Sequence, residues 1–335
     1  MTDRVTGVRL PRTYDPELLA RDLGALRSLP QVPQPGPYHD GDWTGLTLYS
    51  PGGDRPGLTD PVLHPYAPTP ALDRAPYLAG LLAELPAPKL LTRLLTLPPE
   101  SDIGEHSDAG STFQFGSLRL HVPIVTHEQV VMVVGGDRMR WRPGELWWGD
   151  FSRPHWLRND SDVTRVHLVV DVEVTDQILA LFPADVVAAQ EATGAGISRH
   201  RPPLPADRRT DAELAPFAAS FTVPTPLMPL FAQEGDLRGL AREAVATTRP
   251  DAGRLVVSLD GRPAFALVRT GERVFSVVGL PPGVYVEFDD ATAPSAAEVV
   301  VRGVPEDLYA AQLGVQNGPV IPEQRFLLPL RQPVS

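Results

Sequence analysis

Three residues of this chain have the types and the spacing of a metal-binding site. His106 and Asp108 form a His-x-Asp pair, and His155 follows at a distance along the chain. Two imidazoles and one carboxylate make up the facial triad that holds Fe(II) and leaves coordination positions open for oxygen chemistry. The chain contains no cysteine, which excludes a thiolate zinc site and a disulfide framework. His106, Asp108 and His155 are therefore the predicted metal ligands and catalytic residues.

Two segments that alternate like strands carry further polar side chains. Successive side chains of a strand point to opposite faces, so Arg119 lies on the same face as His121, and Arg165 on the same face as His167. We expect both faces to point into the barrel that holds the metal. A guanidinium matches a carboxylate with two parallel hydrogen bonds, which makes Arg165 the expected anchor for the distal carboxylate of 2-oxoglutarate.

The composition predicts a globular protein and excludes some partners. The chain has 335 residues, 42% of them hydrophobic, and a formal net charge of −11. Nucleic acid and anionic membranes attract clustered Lys and Arg, so neither is an expected partner. The first residues carry charges throughout, and no segment approaches 18 uninterrupted apolar residues. We expect a cytoplasmic protein of unspecified oligomeric state that acts on a small molecule or a peptide.

The elements that must position these residues are mainly strands. Short alternating segments fill residues 117–174, and the Gly135-Gly136 pair suits a tight hairpin turn between two of them. This pattern is typical of an antiparallel sandwich or jelly roll. An apolar segment over Leu90–Leu97 leads towards His106. Helical periodicity predicts flanking helices at 14–30, 77–85 and 175–193.

The C-terminal third predicts a second, smaller domain. Residues 194–212 are rich in Pro and Arg and are interpreted as a solvated linker. Beyond it, residues 236–248 suggest a helix and residues 254–289 a β-meander. We therefore divide the chain into an oxygenase domain (1–193, core 85–175), the linker and a C-terminal α+β domain (213–335) with a role in substrate recognition.

The order of several motifs resembles the aspartyl/asparaginyl β-hydroxylase family. These motifs are SLRLHVPI (117–124), WRPGELW (141–147), His155, Asn159 and RVHLVVD (165–171). The resemblance covers about residues 85–175. The preceding part, down to about residue 8, is similar to the bacterial L-proline cis-3-hydroxylase branch, through segments such as LLARDL (18–23) and PYL (76–78).

The resemblance implies a double-stranded β-helix core, an Fe(II) cofactor, and 2-oxoglutarate and O2 as co-substrates. It implies a dioxygenase that hydroxylates a C–H bond of an amino acid, whether free, peptidyl or carrier-bound, with release of succinate and CO2. Iron would be ligated by His106, Asp108 and His155. Arg165 would bind the 2-oxoglutarate carboxylate, and Arg119 and His121 would line the co-substrate or substrate pocket.

Two other interpretations remain open at this stage. A cupin-like metal-binding or sensor protein without oxygenase turnover would share the His and Asp cluster, but it would have no need of Arg165. A structural β-sandwich with an incidental group of histidines is the simplest alternative. Binding of 2-oxoglutarate to the iron-loaded protein would distinguish the dioxygenase from both of these alternatives.

Overall fold

The fold consists of three antiparallel β-sheets with short helices around them. The computed structural model describes residues 5–34, 39–40, 42–54, 62–108, 110–230, 243–306 and 320–331. Within these ranges no helix is long and apolar enough to cross a membrane. The predominance of antiparallel strands agrees with the predicted fold class.

The largest sheet of the N-terminal region has eight strands. Along its main path the order is β1-β10-β7-β12-β5-β3-β2, and β4 pairs with β3 outside that path. The strands are β1 (Gly7–Thr13), β2 (Val32–Pro33), β3 (Thr44–Pro51), β4 (Tyr66–Pro68), β5 (Lys89–Leu97), β7 (Ser117–Val125), β10 (Glu145–Gly149) and β12 (Arg165–Glu173).

A smaller sheet of four strands has the order β6-β11-β8-β9. Its members are β6 (Ser101–His106), β8 (Val130–Val134), β9 (Asp137–Met139) and β11 (His155–Asn159). From β5 to β12 the chain passes back and forth between the two sheets, as it does in a jelly roll. The predicted Gly135-Gly136 turn joins β8 to β9, and both glycines have positive φ.

The two faces of the large sheet pack against different parts of the protein, because successive side chains of a strand point to opposite faces. Leu118, Leu120 and Val122 of β7 are fully buried in a core shared with helices α1 (Pro16–Leu26) and α2 (Pro76–Glu84). A smaller apolar cluster lies on the other side and includes residues of both sheets. The polar residues that alternate with the leucines of β7 therefore lie between the sheets.

The helix predicted over residues 175–193 is two helices. The chain forms α3 (Asp176–Leu179) and α4 (Ala184–Glu191), with Pro183 as the residue before α4. Proline lacks the N–H that would continue a helix, so it ends one segment and precedes the next. The predictions at 14–30 and 77–85 correspond to α1 and α2.

The C-terminal region forms a third sheet, which also has eight strands. They follow chain order: β13 (Ser220–Val223), β14 (Ala244–Asp251), β15 (Arg254–Leu259), β16 (Arg262–Arg269), β17 (Val274–Val277), β18 (Val284–Phe288), β19 (Ala296–Pro305) and β20 (Val320–Pro329). Ser220 and Arg331 exchange two backbone hydrogen bonds of 2.8 Å, which join β13 to the chain after β20. The sheet is thereby closed on itself.

The predicted helix over residues 236–248 is wrong for residues 244–248, which belong to β14; residues 236–242 lie outside the described ranges. In β14 the side chains of Ala244, Ala246 and Thr248 are buried and alternate with exposed neighbours, a period of two that marks a strand. The described helical segments between residues 194 and 230 are short: α5 (Asp211–Leu214) and 3-10 turns at Ala206–Arg209, Ala215–Phe217 and Thr225–Leu230.

Part of the segment interpreted as a solvated linker is packed against its surroundings, although residues 205–208 and 210–212 are exposed. The Arg201 guanidinium lies 4.2 Å from the ring centre of Tyr285, and the Leu204 N–H donates to the Arg269 carbonyl at 2.9 Å. Arg209 donates to the carbonyl oxygens of Leu204 and Gly253 at 2.6 and 3.1 Å. These arginines fix the path of the chain between the two regions, and the solvated interpretation is wrong for them.

Candidate metal centre

The three predicted ligands lie together at one end of the small sheet. His106 is the last residue of β6, His155 is the first residue of β11, and the two are partners in the antiparallel register. Their ring centres are 4.1 Å apart. Asp108 follows β6, and its N–H donates to the Phe151 carbonyl oxygen at 2.8 Å. One ligand atom of each residue lies within 4.8 Å of the others, close enough to share an ion.

Backbone carbonyls select the tautomer of both histidines. Nδ1 of His106 lies 2.8 Å from the Gly104 oxygen, and Nδ1 of His155 lies 2.9 Å from the Arg153 oxygen. A carbonyl can only accept, so Nδ1 carries the hydrogen and Nε2 keeps its lone pair. Metal-binding histidines are oriented in this way in many proteins. Burial lowers the pKa of His155 to about 4, against the opposing effect of Asp108, so its ring is neutral near pH 7.

The carboxylate of Asp108 is paired with a guanidinium. Arg119 Nη1 donates to Asp108 Oδ2, and the same arginine donates to both oxygens of Asp171. Burial alone would raise the pKa of Asp108. The positive charge of Arg119 is the largest opposing effect, and the pKa of Asp108 lies below its usual range. Asp108 is therefore ionised at neutral pH, the form that a metal requires.

Arg165 is a deeply buried cation between the sheets. It is only 2% exposed, and burial lowers its pKa to about 9. Nη2 lies 2.7 Å from Nδ1 of His167, whereas Nε has no hydrogen-bond partner among the described residues. Within the same ranges it forms no ion pair with a carboxylate. A buried cation in that position favours an anionic ligand.

His121 and His167 lie next to Arg165. Their Nδ1 atoms are 3.4 Å apart, and in both rings Nε2 is buried and makes no hydrogen bond within the described part of the chain. Burial lowers the pKa of each ring well below its ordinary value, with Arg165 as the next cause. Both rings are therefore neutral, and their unpaired nitrogens fit the polar groups of a bound ligand.

The predicted alternation on β7 is confirmed by the burial of Leu118, Leu120 and Val122 in the main core. On β12 the alternating residues Val166, Leu168 and Val170 are buried in the same core. Trp148 is packed in the main core, whereas Trp141 lies with its ring centre 5.0 Å from that of His121. Trp141 thus forms part of the wall around the buried histidines.

Three residues near the site were not assigned from the sequence. Trp43 has its ring centre 6.4 Å from that of His106. Arg93 lies on β5, donates to Gln34 Oε1, and influences the pKa of Asp108. Asp171 pairs with Arg119. The sequence could have indicated a role for Arg93, because this residue is the one arginine within the apolar segment LLTRLLTL (90–97).

Parts of this chain are similar to a known family and to several solved structures. Residues 17–175 match the family model of Aspartyl/Asparaginyl beta-hydroxylase. An oxidoreductase of the 2OG-Fe(II) oxygenase family from Burkholderia pseudomallei is 16% identical over 50% of this chain and 84% of that chain, with a TM-score of 0.36. A prolyl-4-hydroxylase from Pseudomonas putida is 13% identical over 51% and 93%, with a TM-score of 0.34.

A third solved structure, the non-heme alpha ketoglutarate dependent epimerase SnoN from nogalamycin biosynthesis, is 18% identical. It covers 61% of this chain and 93% of its own, with a TM-score of 0.35. No curated protein was found to match. The six candidate site residues all lie inside the segment that the family model covers. That segment, residues 17–175, is similar to the aspartyl/asparaginyl β-hydroxylase family.

Proposed function

We propose that this protein is an Fe(II)- and 2-oxoglutarate-dependent dioxygenase that hydroxylates a C–H bond of an amino acid, with release of succinate and CO2. The observation that carries the proposal is the cluster of His106, Asp108 and His155, whose ligand atoms lie within 4.8 Å of one another. Two imidazoles and one carboxylate suit Fe(II) and leave positions for other ligands. The similarity of residues 17–175 to the aspartyl/asparaginyl β-hydroxylase family supports the same chemistry.

The donor set of the cluster fits an iron ion in detail. The carbonyls of Gly104 and Arg153 hold the Nδ1 hydrogens of the two histidines, so both rings offer Nε2. Asp108 adds one negative charge. Bound Fe(II) would supply what side chains lack, the activation of O2 coupled to decarboxylation of 2-oxoglutarate. The protein keeps the three ligands on two neighbouring strand ends and so holds their geometry.

Arg165 would bind the distal carboxylate of 2-oxoglutarate. Its guanidinium is buried among His121, His167 and aromatic rings, where a carboxylate would neutralise its charge. Trp141 and Phe151 flank His121, with ring centres 5.0 and 4.9 Å from that ring, and exclude water from this side of the site. A charge-assisted hydrogen bond is strongest in such surroundings. His121 would add a polar contact to the same ligand, and Arg119 would border the pocket.

We propose an amino acid, whether free, peptidyl or carrier-bound, as the substrate class. The similarity of the N-terminal part to the L-proline cis-3-hydroxylase branch makes free amino acids the first compounds to screen. A cavity of about 320 Å³ lies where the N-terminal and C-terminal regions meet. The described residues that line it do not include the six candidate site residues, so it would hold a part of a larger substrate away from the metal. Its wall includes Gln114 and Ser152 from one region and Val320 and Pro322 from the other.

We also propose that residues 213–335 form a C-terminal domain that contributes to substrate recognition, separate from the oxygenase domain at 1–193. Its own hydrophobic core supports this division: Phe217, Phe275 and Phe288 pack edge to face with ring centres 4.8 to 5.3 Å apart. Residues 194–212 would connect the two domains as a partly packed segment. Because Val320 and Pro322 border the shared cavity, the C-terminal domain would contact a substrate lying there.

The decisive experiment is an anaerobic titration of the Fe(II)-loaded protein with 2-oxoglutarate. We expect a weak visible absorption band to develop and saturate as the co-substrate binds. After O2 is admitted, succinate release measured over a panel of amino acids, peptides and carrier-bound amino acids identifies the substrate. Iron binding without a 2-oxoglutarate band would contradict the proposal and would favour the cupin-like metal-binding or sensor protein.

A further inference from the structure

Asp171 and the half-buried Arg119 form an ion pair between neighbouring strands of the large sheet. They are direct partners in the register of β12 and β7. Arg119 Nε lies 2.7 Å from Asp171 Oδ1, and Nη2 lies 3.0 Å from Oδ2. Two parallel hydrogen bonds of this kind fix both the position and the plane of a guanidinium. Asp171 is 6% exposed, so little water competes for its oxygens.

The same guanidinium reaches a second carboxylate. Nη1 of Arg119 donates to Oδ2 of Asp108, so one cation joins Asp171 to a candidate metal ligand. A carboxylate has two oxygens and about four lone-pair sites. Asp108 can therefore accept from Arg119 and still present an oxygen to an ion. Asp108 follows the end of β6, and its side chain is 24% exposed. The hydrogen bond from Arg119 restricts the rotation of this side chain.

We propose that Asp171 is a positioning residue for the metal centre: it holds Arg119, and Arg119 holds the Asp108 carboxylate in the orientation that binds the ion. The inference rests on the proposed function, because it needs Asp108 to be a metal ligand. A triad keeps three positions open only when its carboxylate occupies a single one. Without Arg119 in place, the carboxylate can rotate away from the ion or turn both oxygens towards it.

A purely structural ion pair would stabilise the fold and leave metal binding unchanged. The chain offers a matched control for that case, since Glu173 lies two residues beyond Asp171 on the same strand. Its carboxylate also pairs with a distant cation, with Oε2 at 2.5 Å from Nδ1 of His200. That pair does not include a candidate ligand. Loss of the Glu173 pair should lower the melting temperature without affecting the metal centre.

The test measures Mn(II) and Fe(II) affinity by anaerobic calorimetry, together with thermal unfolding, in full-length protein. For Asp171→Asn we expect metal affinity to fall about 10- to 100-fold, the usual effect of losing an outer partner of a ligand. Glu173→Gln should keep wild-type affinity. Asp171→Glu, which keeps the charge, should recover part of the loss.

Folded Asp171→Asn with wild-type metal affinity would overturn the positioning role and leave the proposed function intact. If Asp171→Asn fails to fold, Arg119→Lys replaces it, because lysine keeps the charge but cannot bridge two carboxylates with a planar fork. Arg119→Lys should then bind metal more weakly, and wild-type affinity in that variant would overturn the inference. A wild-type protein that binds neither metal would overturn the proposed function and this inference together.

Discussion

His155 lies directly opposite His106 in the antiparallel pairing of β11 with β6, and the register shifts immediately beyond this pair. Leu157 is opposite Ile103, so two steps on one strand match three on the other. This irregularity is a β-bulge, which bends a strand and redirects its side chains. Gly104 lies in the bulge, and its carbonyl accepts the Nδ1 hydrogen of His106. The bulge thus sets the tautomer of a candidate ligand.

The ligand assignment predicts loss of metal binding without loss of fold. His106→Ala or His155→Ala removes one of three protein ligands, so Fe(II) affinity and turnover should both collapse. Circular dichroism should remain that of the wild type, because the hydrophobic cores do not depend on the ion. His127→Ala, in the turn after β7, is the control and should bind iron normally. Near-normal turnover in either ligand variant would refute the triad.

Arg165→Lys should weaken 2-oxoglutarate binding selectively. Lysine keeps the charge but loses the planar fork, and a lost charge-assisted hydrogen bond costs roughly 1.5–3 kcal/mol. The apparent 2-oxoglutarate affinity, measured by the anaerobic absorption titration, should fall by about one to two orders of magnitude. Iron affinity should hardly change. Arg158→Lys on the exposed side of β11 serves as control, and an unchanged 2-oxoglutarate affinity in Arg165→Lys would place the anchor elsewhere, first at Arg119.

The His200 and Glu173 pair predicts a pH dependence of folding stability. The hydrogen bond from His200 to Glu173 raises the pKa of His200 above its ordinary value of 6.5. Because the pKa of His200 is higher in the folded protein than in the unfolded chain, the pair contributes its full stabilisation below about pH 6.5. This contribution is lost as the pH rises through the pKa of His200 in the folded protein. Urea unfolding at a series of pH values should show this loss in the wild type. Glu173→Gln should flatten the profile above pH 6.5, and an unaltered profile would exclude the pair as its origin.

The contact between the two regions predicts unequal costs for two glycine substitutions. Gly303 and Gly261 both have positive φ, 69° and 80°. A Cβ on Gly303 would overlap Gln114, whereas a Cβ on Gly261 would meet open space. Both alanine variants carry the backbone strain of about 1–2 kcal/mol, and Gly303→Ala should cost a further 1–3 kcal/mol or so from overpacking. Urea denaturation measures the loss of unfolding free energy in both variants. Equal losses would contradict the prediction and show that Gln114 moves aside without a free-energy cost.

Removal of the C-terminal region should destabilise the remainder. Phe115 belongs to the C-terminal core, and its carbonyl oxygen accepts the Gly283 N–H at 2.8 Å. A chain ending near Ala206 would expose Phe115, so we expect a lower melting temperature than for the full chain. The packed segment around Arg201 should also resist limited proteolysis, contrary to the cleavage expected of a solvated linker. Rapid cleavage at Arg201 to a fragment with an unchanged melting temperature would contradict this view.

The sequence predicted the parts of this molecule that depend on local pattern. Alternation placed Arg119 and His121 opposite leucines, and the periodic leucines of α1 and α2 marked amphipathic helices. It could not reveal the pairing of β6 with β11, because hydrogen bonds between distant strands leave no local signature. The role of Asp171 was hidden for the same reason, since its partner Arg119 lies 52 residues away. The helix predicted over residues 236–248 was wrong for residues 244–248, because the burial of Ala244 and Ala246 follows a period of two.

Closure of the C-terminal sheet has a consequence for how this region folds. The seam joins Ser220 to Arg331, which are 111 residues apart, so it forms only after a long loop closes. Until then β13 and β20 are free edges, and Leu327 on β20 is 63% exposed even in the folded protein. A free, apolar edge strand can pair with another copy of itself. Because the Ser220–Arg331 bridge forms late, the edge strands can pair with those of another copy during folding until this bridge is made.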